Sequence, residues 1–172
     1  MHLRAEPSMG RRNAAGYALL EALVAVVVAS VGFIGAARMQ TAGMALSNSA
    51  QSRQKATLLG YQMTDRIRAN DLGFREGRYN DPATGSTSCL SSGCTPQQLA
   101  TADMGEWLAD VATLPGGTGK VCIDSTPNDG TALAPACDGT GNVIAVKIWW
   151  TDNWWTDNEV KTTRFVTLVR PL

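Results

Sequence analysis

Histidine, aromatic residues and charge are all scarce in this chain of 172 residues. The single histidine is His2, aromatic residues make up 6% of the composition, and charged residues make up 17%. Because no histidine follows position 2, the rest of the chain cannot form a Ser–His or Cys–His nucleophilic pair. A glycine-rich phosphate loop with its lysine and hydroxyl is also missing from the sequence. We therefore predict that the protein is not an enzyme and carries no cofactor.

The chain also has no excess of positive or negative charge. The 15 lysine and arginine residues match the 15 aspartate and glutamate residues, so the formal net charge is +0 at pH 7. The tryptophan-rich C-terminal region carries Asp152 and Asp157, whereas a nucleic-acid surface needs lysine and arginine between its aromatic residues. We expect no nucleic-acid partner.

What the chain does contain is one long apolar run, Tyr17 to Ala37, with a single charged residue, Glu21. As a helix this run would span about 31 Å, close to the roughly 30 Å thickness of a bilayer's hydrocarbon core. An acid costs about 2.5–3.5 kcal/mol at the centre of a membrane helix and less near its end, so it is normally retained for a partner. Glu21 is therefore a candidate functional residue.

The residues before the apolar run are basic, with Arg4, Arg11 and Arg12 against one acid. The positive-inside bias places the first 16 residues in the cytoplasm and exports the rest. This predicts a single-pass membrane protein whose C-terminal head is exported; a periplasmic head fits this orientation. The alternatives are a cleaved secretory signal and a plain uncleaved anchor. Two features disfavour the secretory signal: the apolar run is longer than the usual core of 7–15 residues, and Glu21 lies near the start of the run.

The helical pattern continues past the apolar run to about Asn70. Apolar residues recur at spacings of 3, 4 and 4, which puts them on one helix face: Ala56, Leu59, Met63 and Ile67. We predict one helix over 17–70. Its half at 17–37 is apolar all round and suits a membrane, and its half at 38–70 has one apolar stripe that suits packing on a globular head at 71–172.

Four cysteines fall in the segment predicted to be exported: Cys89, Cys94, Cys122 and Cys137. An even number of cysteines in an oxidising compartment favours disulfide bonds. Three connectivities are available, and we favour nearest-neighbour pairing because it closes the shortest loops. The C-x4-C and C-x14-C spacings, together with the absence of a nearby histidine, argue against zinc, so we expect no metal.

The head pattern predicts a short helix and three strands. Residues 71–95 read as a loop, after which Thr95, Pro96 and Gln98 form a helix start, with the helix running to about Thr113. Short strands are expected at 120–124, 142–152 and 160–169, the last two joined as an antiparallel hairpin. The predicted fold class is thus α+β, a long N-terminal helix packed on a small antiparallel sheet.

Two pairs of adjacent tryptophans stand near the C-terminus: Trp149, Trp150, Trp154 and Trp155. Neighbouring residues on a strand point to opposite faces, so one member of each pair is expected in the core. The other member is a candidate exposed contact for another protein.

The segment Ala15-Gly16-Tyr17-Ala18-Leu19-Leu20-Glu21, followed by the apolar run, resembles the class III signal of type IV pilins and pseudopilins. The resemblance implies that prepilin peptidase cuts between Gly16 and Tyr17, that Tyr17 becomes an N-methylated terminus, and that residues 1–16 are a leader. Tyr17 and Ala18 stand where the family usually has phenylalanine and threonine. A start at Met9 would leave an eight-residue leader.

The new terminus explains why the glutamate is there. An α-amine with an ordinary pKa near 7.7–8.0 is mostly cationic at neutral pH, and in apolar surroundings it and the carboxylate of Glu21 cost less when paired. In the family the pairing joins neighbouring subunits during assembly. The alternative is pairing within one helix, because Tyr17 and Glu21 are four residues apart.

The string Met63-Thr-Asp-Arg-Ile-Arg-Ala-Asn70 is similar to the end of the long helix in minor pilins of the PilV type, the type IV pilus modification proteins. A simpler interpretation needs no partner: Asp65, Arg66 and Arg68 are a solvated face, with the arginines placed favourably near the helix C-terminus.

The resemblance implies a minor pilin of the type IV pilus, a fimbrial subunit that is held in the inner membrane and helps to prime pilus assembly at the tip. Its implied partners are prepilin peptidase, other minor pilins, the major pilin and a tip adhesin. Two alternatives stay open: a minor pseudopilin of a type II secretion system, and a periplasmic binding module on a membrane anchor.

Overall fold

The computed structural model describes residues 14–85, 89, 93–153 and 160–170. In chain order its elements are α1 (Ala14–Ala69), α2 (Asp71–Arg75), α3 (Pro96–Val111), β1 (Thr118–Ile123), β2 (Ile144–Asn153) and β3 (Val160–Val169). The chain divides into two compact units, Met1–Met44 and Ala45–Leu172. The second unit is called the head below.

The first unit consists, in its described part, of the N-terminal portion of α1. Its large apolar side chains are exposed: Tyr17, Leu19, Leu20, Leu23, Val24, Val26, Val27, Val28, Val31, Phe33, Ile34, Met39 and Met44. This helix is long and apolar enough to cross a membrane, and a signal sequence near the N-terminus would meet the same criteria. An apolar surface of this kind calls for lipid or other helices around it.

Within the head, the C-terminal portion of α1 supplies one wall of the core. The predicted stripe of Ala56, Leu59, Met63 and Ile67 is buried, as its spacing requires of one helix face. Exposed Leu58 lies on another face of the same helix. The stripe therefore sets which side of α1 packs on the rest of the head.

The segment after α1 contains a short helix, α2, where the sequence pattern predicts a loop. Asn70 ends α1 and caps α2, because its side-chain oxygen accepts a hydrogen bond from the Gly73 amide at 3.1 Å. Its amide nitrogen donates to the Tyr79 hydroxyl at 3.1 Å and to the Pro96 carbonyl at 2.9 Å. The prediction of an uninterrupted loop over 71–95 was thus wrong at 71–75, because a single buried amide starts a new helical turn.

Helix α3 begins as predicted. Thr95 and Gln98 form a capping box, and Pro96 holds the first helical position. The helix ends at Val111, two residues before the predicted end, since the Thr113 and Leu114 amides each donate to a carbonyl three residues back. Trp107 is buried against α1 and donates its indole N–H to the Leu59 carbonyl at 2.9 Å.

The three strands form an antiparallel sheet in the order β1-β2-β3. The register pairs Val121 with Val146 and Ile148 with Phe165. The inner face of β2 contributes Ile144, Val146, Ile148 and Trp150 to the core beside α1. Strands β1 and β2 each lie one or two residues from the predicted bounds, and β3 has the predicted range. The long helix followed by a small antiparallel sheet is the α+β layout that the sequence predicts.

Asp152 is a buried link between β2 and α1. Its carboxylate accepts a hydrogen bond from Ser49 Oγ at 2.7 Å and lies 3.5 Å from the guanidinium of Arg53. Asp152 is therefore a buried acid, because it lies on the inner face of the sheet, which continues to the end of β2.

Candidate functional site

Glu21 lies on α1 one turn after Tyr17, and both side chains are exposed. The backbone of Gly16 and Tyr17 belongs to the same helix, which begins at Ala14. An amine created at Tyr17 would lie four residues from the carboxylate, within the reach of side chains on one helix face. Among the residues that the structure describes, none forms an ion pair with Glu21.

The surroundings of Glu21 along α1 are apolar. Its helix neighbours Leu20, Val24 and Leu19 are exposed large hydrophobic residues, and Glu21 is the one ionisable side chain between Ala18 and Ala37. In lipid or in a bundle of similar helices, an unpaired carboxylate is costly and a paired one sets the register. This chemistry suits a contact that holds one cation at one depth.

The cysteines form two disulfide bonds between nearest neighbours, Cys89 with Cys94 and Cys122 with Cys137. Cys122 belongs to β1, and Cys137 lies in the long connection from β1 to β2. The second bond therefore holds that connection, residues 124–143, against the sheet. We call this segment the covering loop, because it lies over the outer face of β2.

Beneath the covering loop lies a lysine that no sequence pattern singled out. Lys147 is on the outer face of β2 and is 0% exposed. Its ammonium contacts the buried carboxylate of Asp124, lies 3.1 Å from Asp129 Oδ1, and donates to the Pro135 carbonyl at 2.8 Å. Asp129 and the Pro135 carbonyl thus accept hydrogen bonds from the ammonium, and the Asp124 carboxylate pairs with its charge, which a buried cation requires.

Further polar contacts fix the covering loop. The Arg164 guanidinium of β3 donates to the backbone carbonyls of Asn128, Asp129 and Gly130. A hydrogen bond from the Ser125 hydroxyl, with a second from the Thr140 amide, holds the pKa of Asp138 well below its usual range. Hydrogen bonds from Thr126 and Lys147 likewise lower the pKa of Asp129.

A group of metal-ligand types also falls here. One ligand atom each from Cys122, Asp124 and Cys137 lies within 4.8 Å of the others. The two sulfurs are bonded to each other, so neither offers a thiolate, and the carboxylate of Asp124 is engaged by Lys147. These three residues therefore have a structural role and do not form a metal site while the disulfide is intact.

Trp149 and Trp150 are both buried, so neither is the exposed contact that the sequence predicts for one member of each pair. Trp150 lies in the core and is 2% exposed, while Trp149 on the opposite face is 3% exposed. The covering loop passes beside Trp149 on this face, because Gly130 to Leu133 and Arg164 line one pocket together with Trp149. Trp154 and Trp155 lie outside the described residues.

A second cluster of buried polar side chains, Asn70, Tyr79 and Asp103, lies just beyond the end of α1. The Tyr79 hydroxyl donates to Asp103 Oδ2 at 2.5 Å and accepts from Asn70. Burial, together with the acceptor Asp103, raises the pKa of Tyr79 well above its ordinary value. Arg66 lies 2.8 Å from Glu106 and 3.5 Å from Asp103.

Those contacts correct the interpretation of Asp65, Arg66 and Arg68 as one solvated face. Asp65 and Arg68 are exposed, whereas Arg66 is partly buried and joins α1 to α3. Burial by itself lowers the pKa of Arg66, but hydrogen bonds and charge attraction from Glu106 and Asp103 outweigh it and raise that pKa.

No protein-family model, no curated protein and no solved structure matches this chain.

Proposed function

We propose that this protein is a minor pilin that helps to initiate type IV pilus assembly and is incorporated at the pilus tip. The observation that carries the proposal is the continuity of α1 from Ala14 to Ala69. Its N-terminal part is apolar on every side and holds one acid, and its C-terminal part is the core helix of a disulfide-bonded head. A subunit that is first anchored in a membrane and then stacked by its helix needs both parts.

The first step in this proposal is hydrolysis of the peptide bond between Gly16 and Tyr17 by prepilin peptidase. Water adds across the bond, Gly16 leaves with a carboxylate, and Tyr17 keeps an amine that is then N-methylated. The cut removes the arginines of the leader and leaves the apolar helix attached to the head. The protein thus stays in the inner membrane with its head in the periplasm.

In the second step Glu21 receives the cationic terminus of a neighbouring pilin. Inside a bundle of apolar helices, the two charges stabilise each other and exclude other axial positions, since a shift of one turn would leave both unpaired. The neighbours proposed here are other minor pilins and the major pilin. A tip adhesin is a further proposed partner of the head.

The main experiment compares a strain lacking the gene with its parent. We expect surface pili to be lost or strongly reduced while enzyme secretion is unchanged. Loss of secreted enzyme with normal pili would instead assign the protein to a type II secretion system as a pseudopilin. If both processes are normal, the anchored binding module becomes the better account.

Terminal sequencing of the protein from membranes provides a direct test of processing. We expect a chain that starts at Tyr17, with the mass of one added methyl group. An intact leader, or a cut beyond residue 30, would overturn the proposal. The variant Gly16→Leu serves as the unprocessed reference.

The role of Glu21 is tested with Glu21→Ala beside Glu21→Asp. Alanine removes the charge and leaves the cut site intact, so we expect a correctly processed protein that is depleted from sheared pili by about tenfold or more. The aspartate variant keeps the charge and should recover part of the incorporation. Normal incorporation of the alanine variant would count against the pairing.

A further inference from the structure

Lys147 and Asp124 form an amine–carboxylate pair that is closed to solvent. Both side chains are 0% exposed, and Lys147 Nζ contacts Asp124 Oδ2. Lys147 lies on β2, whereas Asp124 directly follows β1 at the start of the covering loop. The carboxyl carbon of Asp124 is one bond beyond Oδ2, so the nitrogen approaches it to about the 3–3.5 Å of a near-attack arrangement. The pair is therefore placed for a bond-forming reaction.

The two carboxylate oxygens of Asp124 have different surroundings. Oδ1 accepts a hydrogen bond from the Thr126 amide at 2.9 Å. Oδ2 is buried and, among the residues that the structure describes, accepts no hydrogen bond, although Lys147 Nζ lies against it. A donor fixed on one oxygen stabilises the negative charge that develops there when the carbon is attacked. The other oxygen is then free to leave.

Asp129 supplies a second carboxylate at the same nitrogen. Its Oδ1 accepts a hydrogen bond from Lys147 Nζ at 3.1 Å, within the reach that a general base requires. The Asp129 side chain is 47% exposed, so it connects the buried pair with solvent. Protons can pass through Asp129, and a released water molecule has a way out beside it.

We propose that Lys147 and Asp124 condense into an intramolecular isopeptide bond that fastens the covering loop to β2. Asp129 carries one proton from the ammonium to Asp124 Oδ2, which leaves a neutral amine. The amine attacks Cγ of Asp124, the N–Cγ bond forms, and Oδ1 takes the negative charge beside the Thr126 amide. A second proton follows from the nitrogen through Asp129, the Cγ–Oδ2 bond breaks, and Oδ2 leaves as water. The two charges disappear together, so no other reactant is needed.

Burial favours the product over the ion pair from which it forms. The amide is neutral, whereas two charges away from water are costly even when they are paired. Its carbonyl oxygen keeps the hydrogen bond from Thr126, and its single N–H keeps the Pro135 carbonyl, which accepts from Nζ at 2.8 Å. Like the Cys122–Cys137 disulfide, the bond ties the covering loop to the sheet, but it survives reduction.

Peptide mapping of the full chain, extracted from membranes in detergent, tests for the bond. The protein is denatured, its disulfides are reduced and alkylated, and trypsin is added. Because no lysine or arginine lies between Lys120 and Lys147, an unreacted chain yields peptide 121–147. Condensation blocks the cut after Lys147, so we expect peptide 121–161 with its mass lowered by one water. Recovery of peptide 121–147 at its full mass would overturn the proposal.

A protease that cuts before aspartate locates the bond. Cuts at Asp129 and Asp138 separate Asp124 from Lys147 in an unreacted chain. In the condensed chain the two fragments should stay joined after reduction, and their fragmentation spectra should assign the link to these two side chains. Fragments that separate would mean that the water was lost elsewhere in the chain, and the proposal would be wrong.

Two variants test the chemistry. Lys147→Arg keeps a cation opposite Asp124 but offers a guanidinium that stays protonated, so we expect no loss of water. Asp129→Asn keeps the size of the side chain and removes the base, so condensation in newly made protein should be slower by about a hundredfold or more. Loss of water in Lys147→Arg would exclude Lys147 as the nucleophile. Equal rates in Asp129→Asn and the parent protein would exclude Asp129 as the base.

An exposed pair of the same kind is the matched control. Lys120 Nζ contacts Asp81 Oδ1, but the two side chains are 27% and 61% exposed. Water hydrates both charges there, so the pair should stay ionic and trypsin should cut fully after Lys120 in the same digest. A blocked Lys120 would show that burial does not select the reacting pair. Far-ultraviolet circular dichroism checks that each variant is folded, and the map of the parent protein needs no variant.

The bond belongs to the head alone and goes beyond the proposed function. If the map lacks the bond while deletion of the gene abolishes pili, the minor-pilin proposal stands and the condensation is wrong. If the bond is present while pili are normal without the gene, the head is cross-linked but the protein is not needed for the pilus.

Discussion

At the scale of single residues, Lys147 owes its importance to what covers it. It lies on the outer face of β2 between Ala145 and Trp149, a position that alternation along a strand assigns to solvent. The covering loop buries it and supplies its carboxylate partners. A buried ion pair adds little stability compared with a pair of apolar residues, yet breaking one is costly because a lone charge is left in the interior.

Replacing Lys147 with methionine tests this cost. The side chain keeps a similar length, while the carboxylate of Asp124 is left buried without its cation. We expect the free energy of unfolding to fall by about 3–5 kcal/mol. The measurement is unfolding in urea, monitored by tryptophan fluorescence.

Lys161→Met is the matched control, since Lys161 is exposed, and its effect should stay within about 0.5 kcal/mol. The double variant Lys147→Met/Asp124→Asn should recover part of the loss because no fully buried charge is left unpaired, the Asp129 side chain being 47% exposed. A loss below about 1 kcal/mol for Lys147→Met would contradict the buried ion pair.

Tyr79 makes the head sensitive to alkaline pH. Its pKa is raised in the folded protein by burial and by the acceptor Asp103. The folded state therefore favours the neutral phenol, so the stabilisation is complete below the ordinary pKa near 10 and is lost as pH rises above it.

The comparison is between the parent protein and Tyr79→Phe, whose free energies of unfolding are measured from pH 7 to pH 11. Above about pH 10 the parent should lose more stability per pH unit than the variant, which has no phenol to ionise at this position. Parallel curves for the two proteins would show that Tyr79 does not titrate differently on unfolding.

At the scale of elements, α3 shows how a neighbour overrides helix propensity. Gly105 lies in the middle of the helix, where alanine is normally better by about 1 kcal/mol. A Cβ at this position would collide with the backbone carbonyl of Gly85. Backbone cannot move aside as a flexible side chain can, so the close approach of the two segments requires glycine at Gly105.

The variant Gly105→Ala should therefore destabilise the head by about 1–3 kcal/mol, the usual cost of overpacking. Thermal unfolding measured by circular dichroism checks this. Gly43→Ala is the control, because a Cβ there meets open space, and that helix should not be destabilised. Stabilisation by Gly105→Ala would mean that propensity outweighs the contact.

At the scale of the whole molecule, the core belongs entirely to the second unit. Each residue of the main apolar cluster, from Ala56 to Val169, lies in Ala45–Leu172. The first unit contributes exposed apolar helix and no buried side chain in its described part. Folding of the head and insertion of the apolar helix are therefore separable in energy.

A fragment of residues 45–172, made in an oxidising compartment, should be soluble and unfold in one cooperative step. Its near-ultraviolet circular dichroism should match that of the full chain in detergent, since the same tryptophans are packed in both. An aggregated or unfolded fragment would mean that residues before 45 are needed for the core. Reduction of its disulfides should lower the unfolding midpoint.

The sequence by itself determined the elements that rest on local pattern. The stripe of Ala56, Leu59, Met63 and Ile67, the capping box at Thr95 and the alternation along β2 depend on residues within a few positions of one another. Such patterns identify helices and strands because their periods of 3.6 and 2 are properties of the backbone. The apolar run and its single acid, Glu21, are local in the same sense.

Only the tertiary structure decided which polar residues are buried. Lys147 meets carboxylates 18 and 23 positions away, and Arg66 meets Glu106 across 40. Trp149 is covered by a loop, although its place on the strand faces outward. No short-range period relates these partners, because they meet only when the disulfide-bound covering loop folds over the sheet and α3 packs on α1.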